Sequence, residues 1–223
     1  MKILNKKILP VVFLTAIIFI GTNAFAQTAD EALALLKEGN VRFVGIKMEH
    51  PNLDADRRVG TAVNGQKPFA IVLACSDSRV PVEDIFDRGI GDIFVVRVAG
   101  NIAEDPTVVG SIEYAAEHLN SPLLVIMGHT ECGAVKAAIS GPPLGGDIRV
   151  IQETIENAVE IVKKDHPDLN GDDLTYAVVK ENVFQAKNDI LTDNEEIANM
   201  AEKGKLKIAC AVYDVKTGVV EWI

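Results

Sequence analysis

Short apolar runs alternate along the chain with longer segments in which apolar residues recur every three or four positions. Residues 69–74, 93–98, 123–127 and 208–213 are rich in Val, Ile and Leu and apolar on both faces, as strands buried under helices must be. Segments 108–119, 151–162 and 174–190 carry apolar residues at helical spacing with acids and lysines opposite, the pattern of crossover helices lying on such a sheet. Thr28-Ala29-Asp30-Glu31 has the spacing of a capping box ahead of Leu33, Leu36 and Phe43, which predicts a further helix starting there. Residues 219–223 follow the Lys216-Thr217-Gly218 turn closely enough to pair back as an antiparallel edge strand. The pattern therefore predicts an α/β fold: one central, mostly parallel β-sheet flanked by helices, with an antiparallel C-terminal edge. No repeat or Gly/Ser linker divides residues 27–223, which read as a single domain, and the Pro/Gly cluster at 140–146 reads as a loop.

Residues 1–26 stand apart from this pattern. Lys2, Lys6 and Lys7 precede an apolar stretch from Ile8 to Ile20, and Ala24-Phe25-Ala26 ends in small residues at the positions a signal peptidase reads. The segment is shorter than the ~20 apolar residues that span a bilayer, so a cleaved export signal is favoured over a membrane anchor, with the periplasm as the expected compartment. Its removal takes three lysines and no acids, leaving 19 basic against 32 acidic residues. The whole chain already carries a formal charge of -10, which makes nucleic acid and anionic lipid poor partners for most of its surface.

The reactive residues gather at the ends of two predicted strands. The run 69–74 delivers Cys75, Asp77 and Arg79 within five positions, and the run 123–127 leads into Gly128-His129-Thr130-Glu131-Cys132-Gly133. Carboxyl ends of strands are where open α/β sheets place their ligands. Two thiols and an imidazole suit Zn²⁺, and a three-ligand set leaves a fourth position for a reacting group. Taken singly, Cys75 reads as a small buried hydrophobe and His129 as a capping residue, and spacing alone leaves a Cys75–Cys132 disulfide open. Cys210, in the middle of a predicted strand, reads as a core thiol. His50, His118 and His166 lie in contexts typical of solvated loops or helix ends and are assigned no chemistry.

Cys75-Ser76-Asp77-Ser78-Arg79 followed by Gly128-His129-x-x-Cys132-Gly133 resembles the paired signature of the β-class carbonic anhydrases. Gly91 to Asn101 and Ser111 to His118 are similar to the same family, and the likeness runs from about residue 28 to the end. The resemblance implies one Zn²⁺ per chain held by Cys75, His129 and Cys132, and reversible hydration of CO₂ to bicarbonate and a proton through a zinc-bound hydroxide. Asp77 would orient that hydroxide while Arg79 fixes the carboxylate; released, Asp77 could itself close onto zinc. It also implies substrate contacts from Gln66, Phe94, Tyr114 and Gly133. Cys132 precedes a predicted helix whose dipole is expected to keep its sulfur deprotonated. Val72 stands where the bicarbonate-inhibited branch carries Trp, so no inhibitory site of that kind is expected, although Arg97 matches another of its members. Glu131 adds an acid beside the metal, whose plainer reading is a solvated side chain.

Family members are built on dimers with N-terminal helices lying across the partner, so a homodimer or homotetramer is expected, with Leu33, Leu36 and Phe43 covered by a second subunit. Two alternatives remain beside CO₂ hydration: hydrolysis of CS₂ or COS on the same scaffold, and a non-catalytic exported metal-binding or disulfide-containing protein.

Overall fold

A computed structural model describes residues 27–223; the expected export signal lies outside them. The chain opens with helix α1 (Ala29–Val44) behind the expected capping box, in which Glu31 N donates to Thr28 Oγ1 at 3.2 Å and Thr28 N to Glu31 Oε2 at 2.8 Å. Helix α2 (Ala55–Asn64) follows, then strand β1 (Ala70–Ala74), the one-turn helix α3 (Val82–Ile85) and strand β2 (Ile93–Arg97). Helix α4 (Pro106–Glu113) continues into a π-turn over Tyr114–His118, and strand β3 (Leu123–His129) leads into helix α5 (Gly133–Ser140). Helices α6 (Ile148–Asp165), α7 (Gly171–Asp193) and α8 (Glu195–Glu202) precede strands β4 (Lys207–Tyr213) and β5 (Val220–Trp222).

The sheet order is β2-β1-β3-β4-β5, parallel except for the final antiparallel pair. Both faces of β1 are closed, with Ile71 and Leu73 in the core under α4, α7 and α8, and Val72 and Ala74 in the core under α1 and α3. A third apolar cluster, built from α5, α6 and α7, includes Cys75 and Cys132 beside Ile155, Val159 and Val178. The chain runs from β1 to β2 on one side and then crosses to β3 on the other. A crevice therefore opens beyond the carboxyl ends of β1 and β3, the position where such sheets bind ligands.

The structure revises three expectations. The strand predicted over 123–127 continues to His129, because Gly128 lets α7 lie directly on it: a Cβ there would stand 2.8 Å from Val183 Cγ2 and 3.0 Å from Val179 Cγ1. The helix predicted over 108–119 is α-helical only to Glu113, after which Leu119 N bonds Tyr114 O, five residues back. Finally, α1 is docked on its own sheet. Leu36 is fully buried within the one chain, Leu33 and Phe43 pack against the same core, and Asn40 donates to Ile85 O and Gly218 O while accepting from Val220 N. The large apolar residues of α1 that do face outward are Val41 and Val44. Among the described residues no helix is long and apolar enough to cross a membrane.

Candidate active site

Cys75 follows the last residue of β1, His129 ends β3, and Cys132 is the residue on which α5 begins. Because β1 and β3 are direct neighbours, residues 54 positions apart in sequence meet at one edge. The two sulfurs and a ring nitrogen lie within 4.8 Å of one another, and all three residues are buried. The cysteines are free thiols, which disposes of a disulfide between them. Cys210 is likewise free and buried, with its thiol pushed up by burial as a core residue's should be.

The local hydrogen bonds prepare this group for a cation. His129 Nδ1 lies 2.8 Å from Thr130 O. Only a protonated Nδ1 can donate to that carbonyl, so Nε2 is left as the acceptor. Buried Nε2 has no hydrogen-bond partner, a state that costs free energy unless a ligand satisfies it. Between the two sulfurs alone one proton is shared. Hydrogen bonding from Cys132 draws the Cys75 thiol well down, helped by the N–H groups of Asp77 and Gly100 against the effect of burial. The same contact, with burial, pushes Cys132 up. The N–H groups of Ala134 and Val135 act on Cys132 as a helix start should, against the upward push of the neighbouring sulfur and of burial. A buried group of two sulfurs and a free imidazole nitrogen fits Zn²⁺ in ligand type and number.

Asp77 stands beside this group. Arg79 grips its carboxylate with Nε to Oδ1 at 3.0 Å and Nη2 to Oδ2 at 2.7 Å, and the Arg79 backbone N–H adds a third bond at 2.9 Å. The guanidinium holds the Asp77 carboxyl far below the usual carboxylate range. Oδ2 is 4.0 Å from His129 Nε2, so the acid faces the prospective metal position while remaining on Arg79. Arg79 Nη2 also donates to Glu131 O at 3.1 Å, which ties the Asp77 turn to the loop between His129 and Cys132. Glu131 itself, in the left-handed region at φ 60°, points its carboxylate to Lys136 and is exposed.

Arg97 escaped the sequence reading as a structural member of the site. From β2 it reaches across to donate to Cys75 O at 3.0 Å and Asp77 O at 2.6 Å, clamping the turn that carries both side chains. Its position beside the Ala-Gly-Asn stretch was visible in sequence, but its partners are backbone carbonyls, which no motif advertises. The four expected substrate residues are divided. Gly133 lies next to Cys132 at the exposed start of α5, with open space where a side chain would project. Gln66 and Tyr114 instead line an open recess of about 550 Å³ with Arg58, Thr61 and Gly91, and Phe94 packs on Tyr114 with ring centroids 6.2 Å apart. Phe94 is level with Ile71 in the sheet, four residues short of Cys75 and hence about 13 Å down the strand. Within one subunit these three residues do not meet the Cys-His-Cys group.

A sequence profile of the carbonic anhydrase family matches residues 70–220. Carbonic anhydrase 2 of Mycobacterium tuberculosis strain H37Rv is 48% identical over 134 residues, covering 58% of this chain and 64% of that protein. The chain thus matches just under two thirds of that relative's length. The carbonic anhydrase of Pseudomonas aeruginosa is 31% identical over 173 residues, covering 70% of this chain and 73% of that protein. Among solved structures, the β-carbonic anhydrase CafA of Aspergillus fumigatus superposes with a TM-score of 0.69 at 27% identity, over 87% of this chain and 89% of that one. Two tetrameric β-carbonic anhydrases from Sordaria macrospora share the fold with a TM-score of 0.69 at 23% identity, over 83% and 93%. Cysteines and histidine converging at the β1/β3 crevice, the extent of the profile match and the likeness to CafA agree, and the chain belongs to the β-carbonic anhydrase family.

Proposed function

We propose that this protein is a zinc enzyme interconverting CO₂ and bicarbonate, with Cys75, His129 and Cys132 as the metal ligands. The observation that carries the reading is the unsatisfied Nε2 of buried His129, gathered with the two cysteine sulfurs within 4.8 Å and faced by an arginine-locked carboxylate. Zinc held by such a set acidifies water from a pKa of 15.7 towards ~7, which makes a hydroxide-strength nucleophile available at neutral pH.

The chain's own residues then determine direction and timing. Asp77, ionised throughout the working range, can only accept a hydrogen bond, and its placement aims the lone pair of the attacking oxygen at CO₂ rather than at the protein. Arg79 keeps that carboxylate off the metal by occupying both of its oxygens. Asp77→Asn keeps the size but turns one oxygen into a donor and releases Arg79. We expect it to bind one zinc per chain while kcat for CO₂ hydration falls about 10²-fold, the scale of losing one preorganised group. Stopped-flow hydration beside metal analysis checks this. If the wild type holds one zinc per chain yet fails to hydrate CO₂ at high pH, the reading is wrong, and turnover of CS₂ or COS becomes the measurement to make.

The separation of Gln66, Phe94 and Tyr114 from the metal ligands within one chain supports assembly as a homodimer or larger homo-oligomer, in which these residues serve a neighbouring subunit's site. Half-exposed Tyr114 and exposed Gln66 are free to do so, and the Sordaria macrospora proteins of the same fold are tetrameric. Co-refolding Cys75→Ser subunits with Gln66→Ala/Tyr114→Ala subunits provides the check. Mixed oligomers should recover a share of wild-type turnover, because one interface then unites an intact metal group with intact Gln66 and Tyr114. Activity no greater than the sum of the separate variants would place both sets in one chain. Export remains part of the proposal, and the mass of the secreted chain, which should start near Gln27, tests it.

A further inference from the structure

Helix α7 buries an apolar stripe of Leu174, Val178, Val179, Val183, Ala186 and Ile190, interrupted by Asn182 at 2% exposure. An amide costs free energy in such a position unless it is hydrogen-bonded. Asn182 has one partner: its Nδ2 donates to Gly100 O at 2.8 Å, across 82 positions of sequence. Gly100 occupies the left-handed region at φ 73°, and a Cβ there would stand 2.8 Å from Ile155 Cδ1, so a side chain at this point of the Ala99–Asn101 turn would be strained. In that conformation the Gly100 N–H donates to Cys75 Sγ at 3.3 Å, in the buried interior.

We infer that Asn182 is a positioning residue for the metal centre, anchoring Gly100 by its carbonyl so that the N–H on the other side of the same Cα stays on the Cys75 sulfur. The inference rests on the metal reading above. A hydrogen bond to a thiolate withdraws electron density from sulfur, and partners of this kind govern both affinity and electronics of the ligand they touch. Without the amide, the Ala99–Asn101 turn loses its only side-chain tether to α7, and Cys75 becomes a richer but less well-placed donor.

The test compares wild type with Asn182→Leu, nearly isosteric but without a donor, and with Ile190→Ala, which removes core volume two turns further along the same helix. Zinc affinity is read by competition with a chromophoric chelator, and the sulfur-to-metal charge-transfer band is read on the cobalt(II)-loaded proteins. Asn182→Leu should lose about 10- to 100-fold in zinc affinity, and its band should move to longer wavelength. Ile190→Ala, though less stable, should keep wild-type affinity and band. Asn182→Ala replaces Asn182→Leu if the latter does not fold. Unchanged affinity and band in the Asn182 variants, or the same change in Ile190→Ala, overturns the positioning role. A wild type that binds neither zinc nor cobalt overturns the metal reading itself, and the positioning role with it.

Discussion

Cys75→Ser is expected to lower zinc affinity by about 10²- to 10³-fold and to abolish measurable CO₂ hydration at zinc concentrations that saturate the wild type. Structural zinc sites carry roughly 10–16 kcal/mol of apparent binding free energy; shared over four donors, one thiolate accounts for about 2.5–4 kcal/mol, and each 1.4 kcal/mol is a factor of ten. Serine keeps the size of the side chain but stays protonated where Cys75, drawn down by Cys132 and by the N–H groups of Asp77 and Gly100, ionises readily. Folding should survive, because Cys75 lies at the sheet's edge after β1 has closed and contributes only a small part of its cluster's apolar surface. Zinc titration and CO₂ hydration on the same preparation check both halves of the expectation. A Cys75→Ser protein that binds zinc as tightly as wild type would remove Cys75 from the ligand set.

Asp87→Ala should destabilise the fold by about 1.5–3 kcal/mol, the scale of hydrogen bonds to a charged group whose remaining donor, Arg42, keeps partial access to water. Asp87 is 1% exposed at φ 46°, and its carboxylate accepts from Arg42 Nε, from Glu49 N at 3.0 Å and from His50 N at 2.9 Å. It thereby pins the chain leaving α1 to the end of α3. Burial alone would raise its pKa, but the Glu49 N–H, the Arg42 guanidinium and the His50 N–H together outweigh burial and hold it below the ordinary value. A depressed carboxyl in the folded state stabilises fully above its unfolded pKa of about 3.9 and ceases to do so as pH falls through the lower folded value. Wild-type stability in urea should therefore fall steeply on the acid side of about pH 4, and Asp87→Ala should show a lower and flatter acid limb. Equal slopes in the two proteins would show that Asp87 carries no share of the acid sensitivity.

The elements legible in sequence were those whose burial writes a period into the residues. All five strands and the long helices α1, α6 and α7 fall where the apolar pattern put them, within a few residues at their ends. Helix α2 buries none of its residues and α8 only Ile197, so neither writes such a period. Their caps were nonetheless present in sequence, since Asp54 accepts from Arg57 N at 2.7 Å and Asn194 from Ile197 N at 2.8 Å. The expectation that a partner covers Leu36 failed for a different reason, since its own sheet already buries it. An amphipathic helix shows that one face needs covering, and nothing in its period says which chain covers it.

The sequence by itself determined the α/β alternation and the residue types of the centre, because strand burial and metal-ligand chemistry are written in short, local stretches such as Cys75 to Arg79 and His129 to Cys132. Tertiary structure decided what touches what. Placing β3 beside β1 brought Cys75 to His129, β2 on the other side delivered Arg97 to two backbone carbonyls, and α7 brought Asn182 onto Gly100. It also kept Gln66 and Tyr114 away from the Cys-His-Cys group of their own chain. Such contacts depend on distances between elements far apart in sequence, and a backbone carbonyl or a buried amide carries no side-chain signature of the partner it will meet.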